Sequence, residues 1–464
     1  MKHMKNKSHI KFHEQMISCF SCISLFIIAL SFAGGCKSTP KNAGTMLRPH
    51  DGMTIRDSAT GALLVLDPPE LFAVEKIVAP PANHNDKHLA GYMWDGAQGF
   101  MPRYDDEDGS IILGGAFRQT VPESLEITST NGALLYIESR DYVLNKEWGQ
   151  FVAIDTRLGA DPVHVKASLA MQRIDLVQRR AADGSLAVKK GVSRLVCPRR
   201  PEPDDGFVAM AGIYVAPWRR GGVWTVTQED IFPILNKKPA SLKPAPKTAV
   251  PKTRAKFNAG APVKIAFIGD SITLGAEAGK WWDDTSTTFR GRVLNDLHAR
   301  FPDSVITEIQ AFEGGRGLEY AVENFHSKVA AAKPDLIIIG MGVNDAAERY
   351  PGTGIPALAP DKFKTLFTQL LDKCKESGAE VIIHTSMETN PFAANGDAAR
   401  WDVYRKTMID AARRDKMGVA DTYAAWQQQT LDGIPPFSQL HNWINHPGAD
   451  GHKIFADEIL RYFQ

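Results

Sequence analysis

Gly269-Asp270-Ser271, the glycine cluster Glu313-Gly314-Gly315-Arg316-Gly317, Gly342-Val343-Asn344-Asp345 and His446-Pro447 follow one another through the C-terminal part of the chain. Together they hold the residue types that acyl transfer needs. A serine hydroxyl is a weak nucleophile until a neighbouring base takes its proton, which makes Ser271 the candidate nucleophile and His446 the candidate base. The tetrahedral intermediate puts negative charge on an oxygen, and preplaced donors must meet it. Three candidate donors are the backbone N–H of Ser271, a glycine N–H from the 313–317 cluster, and the side-chain amide of Asn344. Glycine suits the middle role because the backbone itself must approach the substrate. This chemistry calls for no metal and no organic cofactor.

The elements that must position these residues alternate strand and helix. Val263 to Ile268, Ser304 to Ile309, Leu336 to Ile339, Val381 to His384 and Gly418 to Ala420 are short apolar runs suited to buried parallel strands. Between them lie helical patterns: Phe289, Val293, Leu297 and Phe301 at four-residue spacing, and Phe363, Leu366, Phe367, Leu370, Leu371 and Cys374 on one face, with a stop at Gly378. The rhythm predicts a three-layer α/β domain with a parallel sheet and a site at the carboxyl ends of its strands. Ser271 then stands on the turn after the first strand, Asn344 follows the third, and His446 precedes the final helix.

The order GDSIT, glycine, GxND and HP resembles the four blocks of the SGNH (GDSL) hydrolase superfamily, over about residues 263 to 464. The resemblance implies Ser271 as nucleophile, an oxyanion hole made by Ser271, Gly315 and Asn344, and His446 as base; either Gly314 or Gly315 takes the middle place. The chain departs from the family at one position. Where the family commonly has an aspartate three residues before the histidine, this chain has Trp443. The residue that orients His446 is then Asn442, a backbone carbonyl, or a distant acid such as Asp421; with no acid in that role the triad is a dyad.

Several neighbouring polar residues have a structural reading. Asp270 and Asp345 are expected to hold loops by bonding nearby backbone N–H groups. His452 is expected at a helix start, His384 either lines the site or belongs to the core, and Trp281-Trp282 either shapes the crevice or caps the domain. The segments Ala346 to Pro360, with Tyr350, Pro351 and Pro356, and Met387 to Trp401 are expected to line the substrate site.

The rest of the 464-residue chain divides by composition. Residues 1–36 read as an export leader: Lys2, Lys5, Lys7 and Lys11, an apolar run from Met16 to Phe32, then Ala33-Gly34-Gly35 before Cys36. Two outcomes are open, a bacterial lipoprotein acylated at Cys36 and an uncleaved anchor or ordinary signal; both put the remainder outside the cytoplasm. Residues 45–235 read as a mostly-β domain, sandwich-like or jelly-roll-like. Its signals are the alternation of Val163, Val165, Ala167 and Leu169, a hairpin from Ile174 to Gln178 and Leu186 to Val188 around Asp183-Gly184, and further strands at Ala133 to Ile137, Gln150 to Ile154, Phe207 to Val215 and Val223 to Val226. Its Trp94, Trp148, Trp218 and Trp224 are either core residues or indoles on which sugar rings stack. Residues 236–262, rich in proline and lysine without an acidic residue, read as an extended linker.

A formal net charge of +1 offers no global field for nucleic acid. Outside the leader only Cys197 and Cys374 remain, in separate regions; Cys374 falls on the apolar helix face and is expected to be buried and not bridged, with no disulfide framework or zinc spacing. These signs fit an exported serine esterase acting on an ester-bearing polysaccharide and held at the membrane through its N-terminal segment. An envelope lipid esterase or lysophospholipase-like enzyme, and a non-catalytic carbohydrate-binding protein on the same scaffold, are the alternatives.

Overall fold

A parallel sheet of five strands forms the centre of the C-terminal region, in the order Ile306–Phe312, Val263–Gly269, Leu336–Gly340, Glu380–His384, Gly418–Ala420. The computed structural model describes residues 47–79, 102–104, 111–113, 117–153, 163–235, 249–279, 283–348, 353–392 and 398–464. The leader with Cys36, Trp94, Trp281-Trp282, and Tyr350 and Pro351 lie outside these residues. Among the described residues no helix is long and apolar enough to cross a membrane.

The sheet forms because its central strands are apolar on both faces. Ile265, Ala266, Phe267, Leu336, Ile337, Ile339, Ile382 and Ile383 have no measurable exposure, as buried parallel strands require. Helices cover it on sequence terms. Pro360–Ser377 starts with proline in its first turn and ends at Gly378, whose φ of 76° suits glycine. Its Phe363, Phe367, Leu370, Leu371 and Cys374 are buried on one face. Phe289–Arg300 likewise buries Phe289, Val293 and Leu297. The strand expected from Ser304 instead runs Ile306–Phe312, because the Ser304 hydroxyl turns back to donate to the Phe257 carbonyl.

The register sets the site. Gly269 pairs with Phe312 on one side and with Gly340 on the other, so three strands end at one level. The strand order also reverses across the first strand, and open α/β sheets bind ligands at such switch points.

The N-terminal region is rich in antiparallel sheets. One runs Leu71–Ala79, Val163–Ala170, Glu126–Ser129, Leu135–Tyr136; another runs Leu186–Lys189, Arg173–Arg180, Phe207–Val215, Ile231–Pro233. The hairpin around Asp183-Gly184 is present, with Gly184 at a φ of 74°. Val223 to Val226 is not a strand. Gly221 and Gly222 turn the chain through left-handed φ of 60° and 85°, Val223 makes only an isolated bridge to Arg220, and Val226 bonds the carbonyl of Gly52.

The stretch expected to be an extended linker is helical over Pro251–Asn258. Glu380 explains the difference: its carboxylate accepts from the backbone N–H groups of Lys252 and Thr253, at 2.8 and 2.7 Å. It supplies the acid at the helix start that the local sequence lacks. Phe257 then stacks on Phe301 at 4.7 Å. Residues 236–248 lie outside the described residues.

Leu47–Gln464 forms one compact unit, and specific contacts explain why. Gly212 and Gly433 approach so closely that a Cβ on Gly212 would lie 1.8 Å from the Gly433 carbonyl oxygen. Gln439 donates to the Pro198 carbonyl at 2.8 Å. Trp443, fully buried, joins Phe117, Trp148, Tyr214 and Trp218 in a single aromatic cluster. Cys197 and Cys374 are both buried. Replacing a fully packed indole by a methyl group leaves a large cavity, so Trp443→Ala is expected to cost about 3–5 kcal/mol. Urea titration checks this; a loss below about 1 kcal/mol would mean that the cluster does not join the two regions.

Candidate active site

Ser271 opens the short helix Ser271–Leu274 directly after the first strand. Asp270 caps that helix, its Oδ1 accepting from the backbone N–H of Ile272 at 2.9 Å, and Gly275 ends it at a φ of 100°. Gly269 makes this tight exit possible, since a Cβ there would lie 1.8 Å from the Thr273 hydroxyl. The Ser271 hydroxyl is thereby brought 2.8 Å from Nε2 of His446. A hydroxyl at that distance can pass its proton to a neutral imidazole.

His446 is held through its backbone. Oδ1 of Asn442 accepts from the N–H groups of Ile444, Asn445 and His446, at 2.9, 3.0 and 2.9 Å, and the N–H of His441 donates to the His446 carbonyl at 2.7 Å. Asn390 adds two bonds, from its side chain to the Trp443 carbonyl and from its N–H to the Ile444 carbonyl. Asn442 therefore shapes the loop, whereas Asp421 works elsewhere. Its carboxylate takes Arg405 Nη2 at 2.6 Å, accepts from the Thr385 hydroxyl, and caps the helix Thr422–Leu431. Trp443 points away from the site, into the aromatic cluster, at a φ of 62°.

The donor side is also assembled. The position of a Cβ on Gly314 would lie 3.9 Å from Ser271 Cβ, while Gly315 turns through a φ of 73° into open space. No backbone carbonyl among the described residues accepts from the amides of Ser271, Gly314 or Gly315. Asn344 follows the third strand and gives one of its two amide hydrogens to the Arg316 carbonyl at 3.0 Å, which leaves the other for a ligand oxygen. Asp345 braces the same corner, its Oδ1 accepting from the Leu318 N–H at 2.9 Å. Gly317 must lack a side chain there, because a Cβ would lie 2.6 Å from that oxygen.

Burial acts strongly on the acids of this corner. It raises Asp270 to about 7, opposed by the hydrogen bond from Ile272 and reinforced by the charge of Asp345. Burial likewise raises Asp345 to about 6. The two remaining histidines near the sheet belong to the core. His384 lies edge-on to Phe289 and Phe455 beneath Gly340, and burial lowers it to about 4. His452 sits within the final helix, stacks on Phe289, accepts from the Phe289 N–H and is lowered by burial to about 3. Both are neutral across the physiological range.

One pair escaped the sequence reading. Nδ1 of His441 lies 2.7 Å from Oε2 of Glu277, tying the turn after Ser271 to the loop that carries His446. The partners are 164 residues apart, and only the left-handed φ of Glu277, 69°, marks the place; nothing local in the sequence signals it.

Residues 267–454 match the GDSL-like Lipase/Acylhydrolase family. An acetylxylan esterase of Geobacillus stearothermophilus is 26% identical over 213 residues, 44% of this chain and 94% of that protein. Among solved structures, an alpha/beta hydrolase enzyme from the metagenome of Lake Arreo, Spain, is 23% identical, over 43% of this chain and 93% of that one, with a TM-score of 0.36. A two-domain esterase active on acetylated mannans, co-crystallized with mannopentaose, is 19% identical, over 47% of this chain and 53% of that one, with a TM-score of 0.38. The chain thus carries a GDSL-like lipase/acylhydrolase domain and is a carboxylic ester hydrolase.

The raised acid Asp270 gives a pH test. In the folded state it holds its proton up to about pH 7, whereas an unfolded aspartate releases it near the ordinary value of 3.8. Its contribution to stability is therefore fully present below about pH 4 and is lost as pH rises through 7. Asp270→Asn keeps an acceptor for Ile272 without the charge, so its unfolding free energy should fall less steeply between pH 4 and 7 than that of the wild type. Parallel slopes in denaturant titrations across that range would refute the assignment.

Proposed function

We propose that the chain is an exported serine esterase that removes acetyl groups from a polysaccharide. The observation that carries the reaction is the 2.8 Å contact between Ser271 Oγ and His446 Nε2 beside the amides of the glycine turn. Support for the substrate comes from the acetylxylan esterase that is 26% identical across 94% of its length. The basic and apolar leader ending at Cys36 supports export and a lipid-anchored position at the envelope.

Ser271 Oγ attacks the acetyl carbonyl carbon while its proton passes to His446 Nε2. The carbonyl oxygen becomes an oxyanion facing the amides of Ser271 and of Gly314 or Gly315, with the free N–H of Asn344. Collapse breaks the bond to the sugar oxygen, which takes the proton from His446 and leaves as an alcohol. Water then attacks the acetyl-serine, losing its proton to His446, and acetate departs as Ser271 regains its hydrogen. Asn442 acts on this sequence by holding the His446 backbone, while Trp443 stands at the position where an orienting acid is otherwise expected.

Acetate release from acetylated xylan and acetylated glucomannan, beside hydrolysis of p-nitrophenyl acetate and octanoate, tests the reading. Ser271→Ala should lose roughly 10³-fold or more on every ester, and Asn344→Ala about 10²- to 10³-fold in kcat. Equal rates in wild type and Ser271→Ala would remove Ser271 from the reaction. A clear preference for octanoate, with no acetate released from either polymer, would leave the esterase and replace the substrate.

A further inference from the structure

A cleft of about 600 Å³ opens on the antiparallel region, where Trp218, Trp224 and Phe392 face it. We infer that it is a second binding site, which takes a neutral stretch of polysaccharide away from the reacting acetyl group; the inference rests on the polysaccharide reading above.

The aromatic faces are available to different extents. Trp218 is mostly buried and forms the floor, Trp224 is half-buried, and Phe392 is exposed. Trp224 is held in place by donation of its indole N–H to the Pro217 carbonyl at 3.2 Å, and Arg219 lies over its ring at 4.6 Å. Pyranose rings present apolar C–H faces that pack on such rings, while their hydroxyls need planar donors and acceptors at the edge.

Those edge groups are present: each lining arginine is paired with an acid, and Lys146 and Glu229, which also line the cleft, carry opposite charges. Arg118 donates to Glu147 Oε1 at 2.8 Å while its guanidinium sits near the rings of Phe117, Trp218 and Phe392. Arg219 faces Glu123 at 3.5 Å, and Arg220 pairs with Asp230 at 2.8 Å. An anionic ligand would have to break these pairs. A neutral polyol can bond to guanidinium and carboxylate together, which is the chemistry of sugar hydroxyls. Arg118 also holds a left-handed φ of 54°, a conformation that costs a non-glycine residue free energy and collects at functional places.

The cleft is mechanically close to the esterase site. Phe117, beside Arg118, packs on Trp443 at 5.8 Å and on Trp218 at 6.2 Å. Phe392 follows Asn390, which holds the carbonyls of Trp443 and Ile444. The loop that carries His446 is thus braced from the cleft side, and a chain bound there is retained beside the esterase.

Affinity electrophoresis of the full chain through gels of deacetylated xylan, deacetylated glucomannan and polygalacturonate tests the cleft without needing turnover. Retention is expected on a neutral polymer, with the dissociation constant raised on the order of tenfold in Trp224→Ala and in Phe392→Ala. The ratio of kcat/KM on acetylated polymer to that on p-nitrophenyl acetate should fall by a similar factor. Phe392→Ala removes an exposed ring, so it remains informative if Trp224→Ala unfolds, which a melting curve reports. Absence of wild-type retention on both neutral polymers, stronger retention on polygalacturonate, or folded variants that bind like the wild type would each overturn the inference. Retention without acetate release from any polymer would instead overturn the substrate reading and leave the cleft standing.

Discussion

The alignment of three strand ends is the constraint on which the site depends. Gly269 is paired at once with Phe312 and with Gly340, so the chain leaves the sheet at one level in three adjacent places. Ser271, the Gly314-Gly315 turn and Asn344 follow within a few residues of those ends. A shift of one residue in any pairing would turn alternate side chains to the opposite face and scatter the groups. Glycine at two of the ends is obligatory, since a Cβ on Gly269 would meet Thr273 and one on Gly340 would lie 1.9 Å from His384 Nε2. The buried neutral His384 thus works as a spacer under the sheet end, not as a proton carrier.

His446 arrives from outside this register, on a loop fixed by different means. Its backbone is gathered by Asn442, and the preceding Trp443 plunges into the aromatic cluster shared with the antiparallel region. Where an acid is expected near the histidine, the chain has an anchor. A carboxylate at that position would face Phe117 within an apolar cluster, a surrounding in which a charge is costly. The loop gains a rigid foothold on the N-terminal region, and the Glu277–His441 contact ties it to the turn after Ser271. The antiparallel region is therefore part of what positions the proposed base, besides whatever it binds.

The acids around the site show how such order is purchased. Asp270 and Asp345 each bond a backbone N–H at a turn that the reaction geometry needs, and each is held so far from water that its proton is retained well above the ordinary range. Their hydrogen bonds oppose the desolvation without cancelling it. Rigid placement near Ser271 and Asn344 is thus obtained against a part of the fold's own stability.

Much of the α/β half was legible because its signals are local. Apolar runs for buried strands, the period of Phe289, Val293 and Leu297, and glycine at 378 each reflect a physical preference within a few residues. Where the reading failed, the deciding partner was distant: Glu380 converts a basic, proline-rich stretch into a helix, and paired glycines at 221 and 222 cancel an apparent strand. The sequence by itself determined the composition of the candidate site, a serine, glycines, an asparagine and a histidine in order, because chemistry constrains residue type. Only the tertiary structure decided how His446 is held, that Asp421 serves Arg405 and Thr385, and that Trp443 joins two regions. Those outcomes depend on contacts between residues far apart in the chain, and no local pattern encodes which distant surface a side chain will meet.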